Sequence, residues 1–332
     1  MSPSLSHLMD FDRYSGWIEF DEGELVNAPD EDATRVTISL PLDSERVPIP
    51  SAPVVVYDHG TGGHAYNAVQ RRNVNDNGLA LASVFAEEGY AVIGRDAPLY
   101  GTRYPLIDEG YGSSLGFYNI VNPPAFRDNQ RQTAIEGQVL LHFIQNALNS
   151  RLPTGSVDTS HILRIGHSLG SVTSNLGVAA NPQAWDSVFL SGTGGLFIEY
   201  FLETGLIDTI DPDVFTSVFT LLNADLPDQI TPTNVLGAAL GMPEATWSEI
   251  DRLHPLSTLF QWMMDPSDPM TVAQDETAPV TVFIGVGDWQ VPNFTSEALS
   301  EALPDVTVIE CNPTWDYDPH YCLHREAEGH SI

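Results

Sequence analysis

Within five residues, around position 166, the chain has to leave an apolar strand, turn sharply and enter a helix. The run Ser160-His161-Ile162-Leu163-Arg164-Ile165 is β-branched and apolar. It closes in Gly166-His167-Ser168-Leu169-Gly170, and Ser171 to Ala180 reads as a helix. The G-x-S-x-G spacing leaves small residues two before and two after the serine, so strand and helix can approach closely around a strained middle residue. Such a turn lifts the Ser168 hydroxyl clear of the sheet edge. It also sets it at a helix N-terminus, where a developing negative charge is favoured. A Gly-rich turn with an accidental serine is the plainer alternative; the strand before and the helix after argue against it.

The surrounding pattern agrees with a sheet of buried strands. Thr34 to Leu40 alternates and reads as an early antiparallel strand. Pro41 to Pro53 holds four prolines and must be a loop. Val54 to Tyr57 is a continuous apolar run, as a strand covered on both faces requires, and it ends in Asp58-His59-Gly60-Thr61-Gly62-Gly63. Leu79 to Glu88 reads as a helix, Tyr90 to Gly94 as the next strand, and Arg127 to Leu148 carries an apolar helical stripe. Ser187 to Leu190, Val280 to Val286 and Val306 to Glu310 are further strands, whereas Val214 to Leu222, Asn234 to Leu240 and Thr246 to Met264 read as helices. The expected architecture is α/β: a mostly parallel sheet with helices on both faces and an inserted helical cap. Residues 1–33 form a leader or edge segment, 34–195 and 276–332 the core, and 196–275 the cap.

Charge narrows the partners. Thirteen basic residues, all arginine, face 45 acidic ones, for a formal net charge of −32. Such a surface repels nucleic acid and anionic membranes. It suits solutions of high ionic strength, where screening weakens self-repulsion, and equally an acidic exported enzyme. No apolar run reaches the roughly 18 residues that a membrane span needs. Met1 to Asp10 lacks the basic and apolar regions of a signal peptide, which is weak information on export.

An activated serine needs a base, a group that orients the base, and donors for the oxyanion. The chain supplies them in the order serine, acid, histidine. Val282 to Gly287 leads into Asp288 just past a strand end, where an orienting carboxylate belongs. Beyond the last strand stand His320, His324 and His330; Asp318-Pro319 reads as a helix start, which places His320 at the junction of loop and helix. His320 is the expected base and His324 its alternative. Leu169 supplies one oxyanion-hole N–H, and Thr61 the second, with Gly62 in reserve.

These stretches resemble the α/β-hydrolase superfamily over roughly residues 50–325, and more narrowly bacterial lipase- and esterase-like proteins. The resemblance rests on His59 to Gly63, Asp96 to Gly101, Asn122 to Asn129, Gly166 to Gly170, and Asp288 to Asn293. Phe260-Gln261-Trp262, with Asp265-Pro266 and Asp268-Pro269, adds to it. It implies hydrolysis of a small or polymeric carboxylic ester through an acyl-enzyme, without metal or organic cofactor, by Ser168, Asp288 and His320. The long, cysteine-flanked histidine loop departs from the family pattern.

Two other readings stay open. Asp316, Asp318, His320, Cys322 and His324 alternate like a metal cluster, with His320 and His324 at helical i, i+4 spacing, as a metal-assisted hydrolase would have them. A non-catalytic hydrolase-like binding protein is the other. Cys311 and Cys322 bracket the loop that delivers His320, and a disulfide between them is expected. A bridge points to a secreted or periplasmic protein, two free thiols to the cytoplasm. Phe197, Phe201, Leu206, Ile207, Phe215 and Phe219 either line an acyl pocket or form the cap's own core.

Overall fold

The computed structural model describes residues 20–21, 24–25, 34–70, 80–103, 116–119, 122–204, 216, 219–220, 222 and 224–311. A short antiparallel ladder joins Phe20–Asp21 to Glu24–Leu25. The main sheet has seven strands: β1 (Val36–Ser39), β2 (Ala52–Asp58), β3 (Ala91–Arg95), β4 (Val157–His167), β5 (Ser187–Ser191), β6 (Val280–Gly285) and β7 (Val306–Cys311). Their order is β1-β3-β2-β4-β5-β6-β7. Only the edge pair β1–β3 is antiparallel, in register Val36↔Arg95, and every other pair runs parallel.

Period-two alternation assigns the two faces of this sheet. Val54 and Val56 of β2 join the largest core cluster, together with Leu140, Leu141 and Ile144 of helix α2 (Pro123–Asn146) and Val178 of α3 (Leu169–Ala180). Val55, between them, belongs to a second cluster with Ala82, on the helix α1 (Leu81–Glu87), and Ala68. Each fully buried aliphatic side chain of this kind contributes roughly 1.5–3 kcal/mol.

Helices replace strands between β5 and β6 among the described residues: α4 (Phe197–Glu203), α5 (Pro232–Ala239), α6 (Pro255–Met264) and the single turn α7 (Pro269–Val272). Phe197, Phe201 and Phe260 pack in one cluster, and Phe219 in another with Trp247. Met270 and Ala273 join the main core instead, so the end of this insertion packs on the sheet. Helix α8 (Asn293–Ala302) then connects β6 to β7.

Most boundaries fall within about two residues of the sequence expectation, and three differ in an informative way. The strand expected from Ser160 begins at Val157, and its pairing with β2 shifts register between Pro53 and Val54. Helix α2 begins at Pro123, four residues ahead of the expected Arg127, because Pro123-Pro124 fill a first turn whose N–H groups need no intrahelical partner. The single helix expected over Thr246 to Met264 is two pieces, a 3₁₀ segment Glu244–Glu249 and α6. Pro255 has no N–H to continue a helix and starts a new one, capped by His254 Nδ1, which accepts from the Leu256 N–H at 3.2 Å. Of Val214 to Leu222, the described residues Thr216, Phe219 and Thr220 are helical.

Candidate active site

β4 delivers Ser168, and the turn there is as sharp as the glycine spacing demands. Ser168 sits at φ 51°, ψ −122°, a conformation that non-glycine residues adopt only when the surroundings impose it. The imposing contacts are specific. A Cβ on Gly166 would lie 2.5 Å from the Ser171 Cα, and one on Gly170 would overlap the Asp58 carbonyl. The Ser168 N–H donates to the Ser191 carbonyl at 2.7 Å, tying the turn to the end of β5. Its own carbonyl accepts from the Ser171 N–H at 2.8 Å and begins α3.

The loop after β2 lies directly against this turn. A Cβ on Gly60 would be 3.1 Å from the Ser168 Cβ and 3.2 Å from the His167 carbonyl oxygen, so this loop and the turn pack closely where the residue is glycine. The Gly63 N–H donates to the Gly60 carbonyl at 3.0 Å, and Gly62 takes φ 75° between them. The Thr61 hydroxyl and the Tyr118 hydroxyl share a 2.6 Å hydrogen bond. His59 holds the loop from behind. Its Nδ1 is 2.8 Å from the Gly60 carbonyl and its Nε2 accepts from the Ala97 N–H at 3.2 Å, which fixes the neutral tautomer with the proton on Nδ1. Burial lowers the His59 pKa in the same sense. Leu169 begins α3, so no intrahelical carbonyl precedes its N–H.

Asp288 stands across Gly192 from the serine. A Cβ on Gly192 would be 3.9 Å from the Asp288 Oδ2 and 3.9 Å from the Ser168 Cα, so these two atoms are at most about 8 Å apart. The other oxygen, Oδ1, accepts from the Gln290 N–H at 2.9 Å and the Val291 N–H at 3.1 Å. Asn293 braces the same turn, taking the Gly287 N–H at 2.9 Å and donating to the Gly285 carbonyl at 2.7 Å. One carboxylate oxygen is thus locked to the backbone, and the other lies near Gly192.

The expected residues Ser168, Leu169, Thr61, Gly62 and Asp288 therefore converge at the carboxyl ends of β2, β4 and β6. His320, His324, Cys322, Asp316 and Asp318 lie outside the described residues. Cys311 ends β7 beside Gly285, and its carbonyl accepts from the Val286 N–H at 2.8 Å. Among the described residues no His, Cys, Asp and Glu group could hold a metal ion, and no helix is long and apolar enough to cross a membrane.

A cavity of about 20 Å³ opens beside Ser168, lined by Leu169, Val172, Phe197, Tyr118, Tyr200 and Gln130 among others. Burial pushes the Tyr118 hydroxyl up to about 12. Burial raises Tyr200 well above its ordinary value, and the neighbouring Tyr118 and Asp288 add to the effect.

Beneath the site lies an ion network that pattern reading did not find. Asp58, the last residue of β2, accepts from Arg95 Nε at 3.1 Å, Arg164 Nε at 2.8 Å and the Ser174 hydroxyl at 2.8 Å. Burial works against the Asp58 charge, but the two guanidinium groups outweigh it and hold the carboxyl well below the usual range. Arg164 fits because two helix glycines make room. A Cβ on Gly177 would lie 2.6 Å from its Nη1, and one on Gly137 2.9 Å from its Nη2. The available signal was an arginine inside an apolar strand together with those two helical glycines.

This arrangement defines the class: the chain has the α/β-hydrolase fold. No protein-family model and no curated protein matches the sequence. Solved structures similar to it include an acetyl xylan esterase from Paenibacillus sp. R4 at TM-score 0.51 and 18% identity, over 84% of this chain and 73% of that one. Est1E from Butyrivibrio proteoclasticus, bound to ferulic acid, aligns at TM-score 0.47 and 14% identity, over 87% and 86% of the two chains. An acylaminoacyl peptidase from Pyrococcus horikoshii aligns at TM-score 0.48 and 13% identity, over 84% of this chain and 34% of the other.

Proposed function

We propose that this protein is a serine hydrolase of carboxylic esters. The observation that carries the reading is the Ser168 turn at φ 51°, with Asp288 Oδ2 within about 8 Å of the Ser168 Cα beside Gly192. The similarity to an acetyl xylan esterase supports the fold that such chemistry uses. Ser168 Oγ attacks the ester carbonyl while His320 takes its proton, and Asp288 orients the imidazole and stabilises its charged form. The N–H groups of Leu169 and Thr61 receive the oxyanion. His320 then protonates the departing alcohol, and water hydrolyses the acyl-enzyme by the same steps in reverse order. No metal or organic cofactor takes part.

Cys311, at the end of β7, is one strand away from the turn that carries Asp288. No free cysteine occurs among the described residues. A Cys311–Cys322 disulfide would anchor the start of the histidine loop beside the acid and would fit a secreted or periplasmic protein. Residues 196–275 act as the cap over the serine.

The test is labelling with a fluorophosphonate together with hydrolysis of nitrophenyl esters. Ser168→Ala should abolish labelling and lower kcat by about 10⁴-fold or more without loss of the folding transition. Full activity in that variant, or activity lost to chelators and insensitive to serine reagents, overturns the reading.

A further inference from the structure

Gln130, on α2, is fully buried at 0% exposure and lines the cavity that holds Ser168 and Leu169. Among the described residues neither its Nε2 nor its Oε1 has a hydrogen-bond partner. Buried amides are seldom left so, because an unmet donor and acceptor each forfeit the bonds that water would supply. Its neighbours on the helix are met in the ordinary way. Asn129 Nδ2 donates to the Phe117 carbonyl at 2.9 Å, and Arg131 reaches Asp128 at 2.9 Å.

The two phenol hydroxyls on the cavity wall are engaged already. The Tyr118 hydroxyl bonds Thr61, and Tyr200 bonds Thr204. Leu169, Val172, Phe197 and Val291 supply the apolar remainder and offer the amide nothing. The cavity of about 20 Å³ has room for a group about the size of one water molecule.

We propose that Gln130 is a specificity-determining residue whose amide receives a hydroxyl on a short acyl chain, making short hydroxyacyl esters the preferred substrates. The proposal rests on the ester-hydrolase reading of Ser168. A hydroxyl accepts from Nε2–H and donates to Oε1, so it satisfies both ends of the amide. A carboxylate has no proton for Oε1, an ammonium has no lone pair for Nε2, and a methyl group leaves both bare. Ser168 itself forms part of the wall, so the space adjoins the serine that would carry the acyl group.

The experiment compares kcat/KM for ethyl 3-hydroxybutanoate and ethyl butanoate in the wild type and in Gln130→Met, which keeps side-chain length and removes both polar atoms. The wild type should favour the hydroxy ester by at least about tenfold, and Gln130→Met should bring the ratio close to one. An unchanged ratio in the variant, or a wild type that prefers butanoate, overturns the proposal. Should Gln130→Met not fold, the same ratio is read in Gln130→Glu, which keeps the side-chain shape and removes the amide donor, and an unchanged ratio there overturns the proposal. Binding of 3-hydroxybutanoate and butanoate, measured calorimetrically, needs no turnover and separates the two readings. A protein that hydrolyses neither ester yet binds the hydroxy acid at least about tenfold tighter keeps the role of Gln130 and loses the esterase assignment. One that hydrolyses esters but binds both acids equally loses the role of Gln130 alone. No hydrolysis and equal binding removes both.

Discussion

Arg164 Nη2 stands 2.7 Å from Asp58 Oδ2, with the side chains 0% and 5% exposed, directly below the turn that carries Ser168. Removing the arginine leaves a buried carboxylate with Arg95 as its one remaining guanidinium partner and the Ser174 hydroxyl beside it. Arg164→Met should cost about 3 kcal/mol, since breaking a buried pair strands a charge in a poorly solvating interior. Urea unfolding checks this, and a loss below about 1 kcal/mol would contradict it.

Glu276 gives the opposite sign from Asp58. It is fully buried, and burial pushes its carboxyl up to about 8 against the counteracting field of Arg164. A carboxyl raised in the folded state binds more protons there than in the unfolded chain, so its contribution is complete below the ordinary carboxylate range and is lost as pH rises toward 8. Stability should fall by on the order of 3 kcal/mol between pH 4.5 and pH 8, and Glu276→Gln should flatten that slope. Asp58, held low, contributes above the ordinary carboxylate range and loses its contribution only at more acidic pH. Thermal melts across this range decide; an identical slope in the variant sinks the assignment.

The hydroxyl pair of Thr61 and Tyr118 holds the loop proposed to supply the second oxyanion donor. Tyr118→Phe should lower kcat by roughly three- to tenfold with KM little changed, as expected for a group acting on the transition state through its neighbour. A change confined to KM would place Tyr118 in substrate binding instead.

Among the histidines beyond β7, His320→Ala should be nearly inactive, with His324→Ala impaired only through packing. Steady-state kinetics of the two variants rank them, and the reverse order would move the base one helical turn along.

Intact-mass analysis with and without reductant tests the Cys311–Cys322 bridge. A shift of about two daltons is expected, because reducing one disulfide adds two hydrogens. An unshifted mass with both thiols labelling in the native protein would point to a reducing compartment instead. Closing a loop of that size stabilises the fold by about 2–3 kcal/mol in the chain-entropy picture, so reduction should also lower Tm.

What the sequence determined by itself is local. The spacing of Gly166, Ser168 and Gly170 dictated a strained serine between strand and helix, because steric exclusion around a turn acts over a few residues. The apolar runs at Val54 and Ile162 marked buried parallel strands for the same reason of short range. Helix ends were less legible: Pro123 and Pro255 open helices only because nothing upstream could continue through them. Tertiary structure alone decided the rest. Asp58 and Arg164 are 106 residues apart in sequence, and their pairing depends on β2 and β4 lying side by side with two helix glycines facing the guanidinium. The approach of Asp288 to Ser168 and the burial of Gln130 without a partner among the described residues are likewise products of packing. Contacts of that kind are set by which surfaces the whole chain excludes from water, and no window of neighbouring residues carries that information.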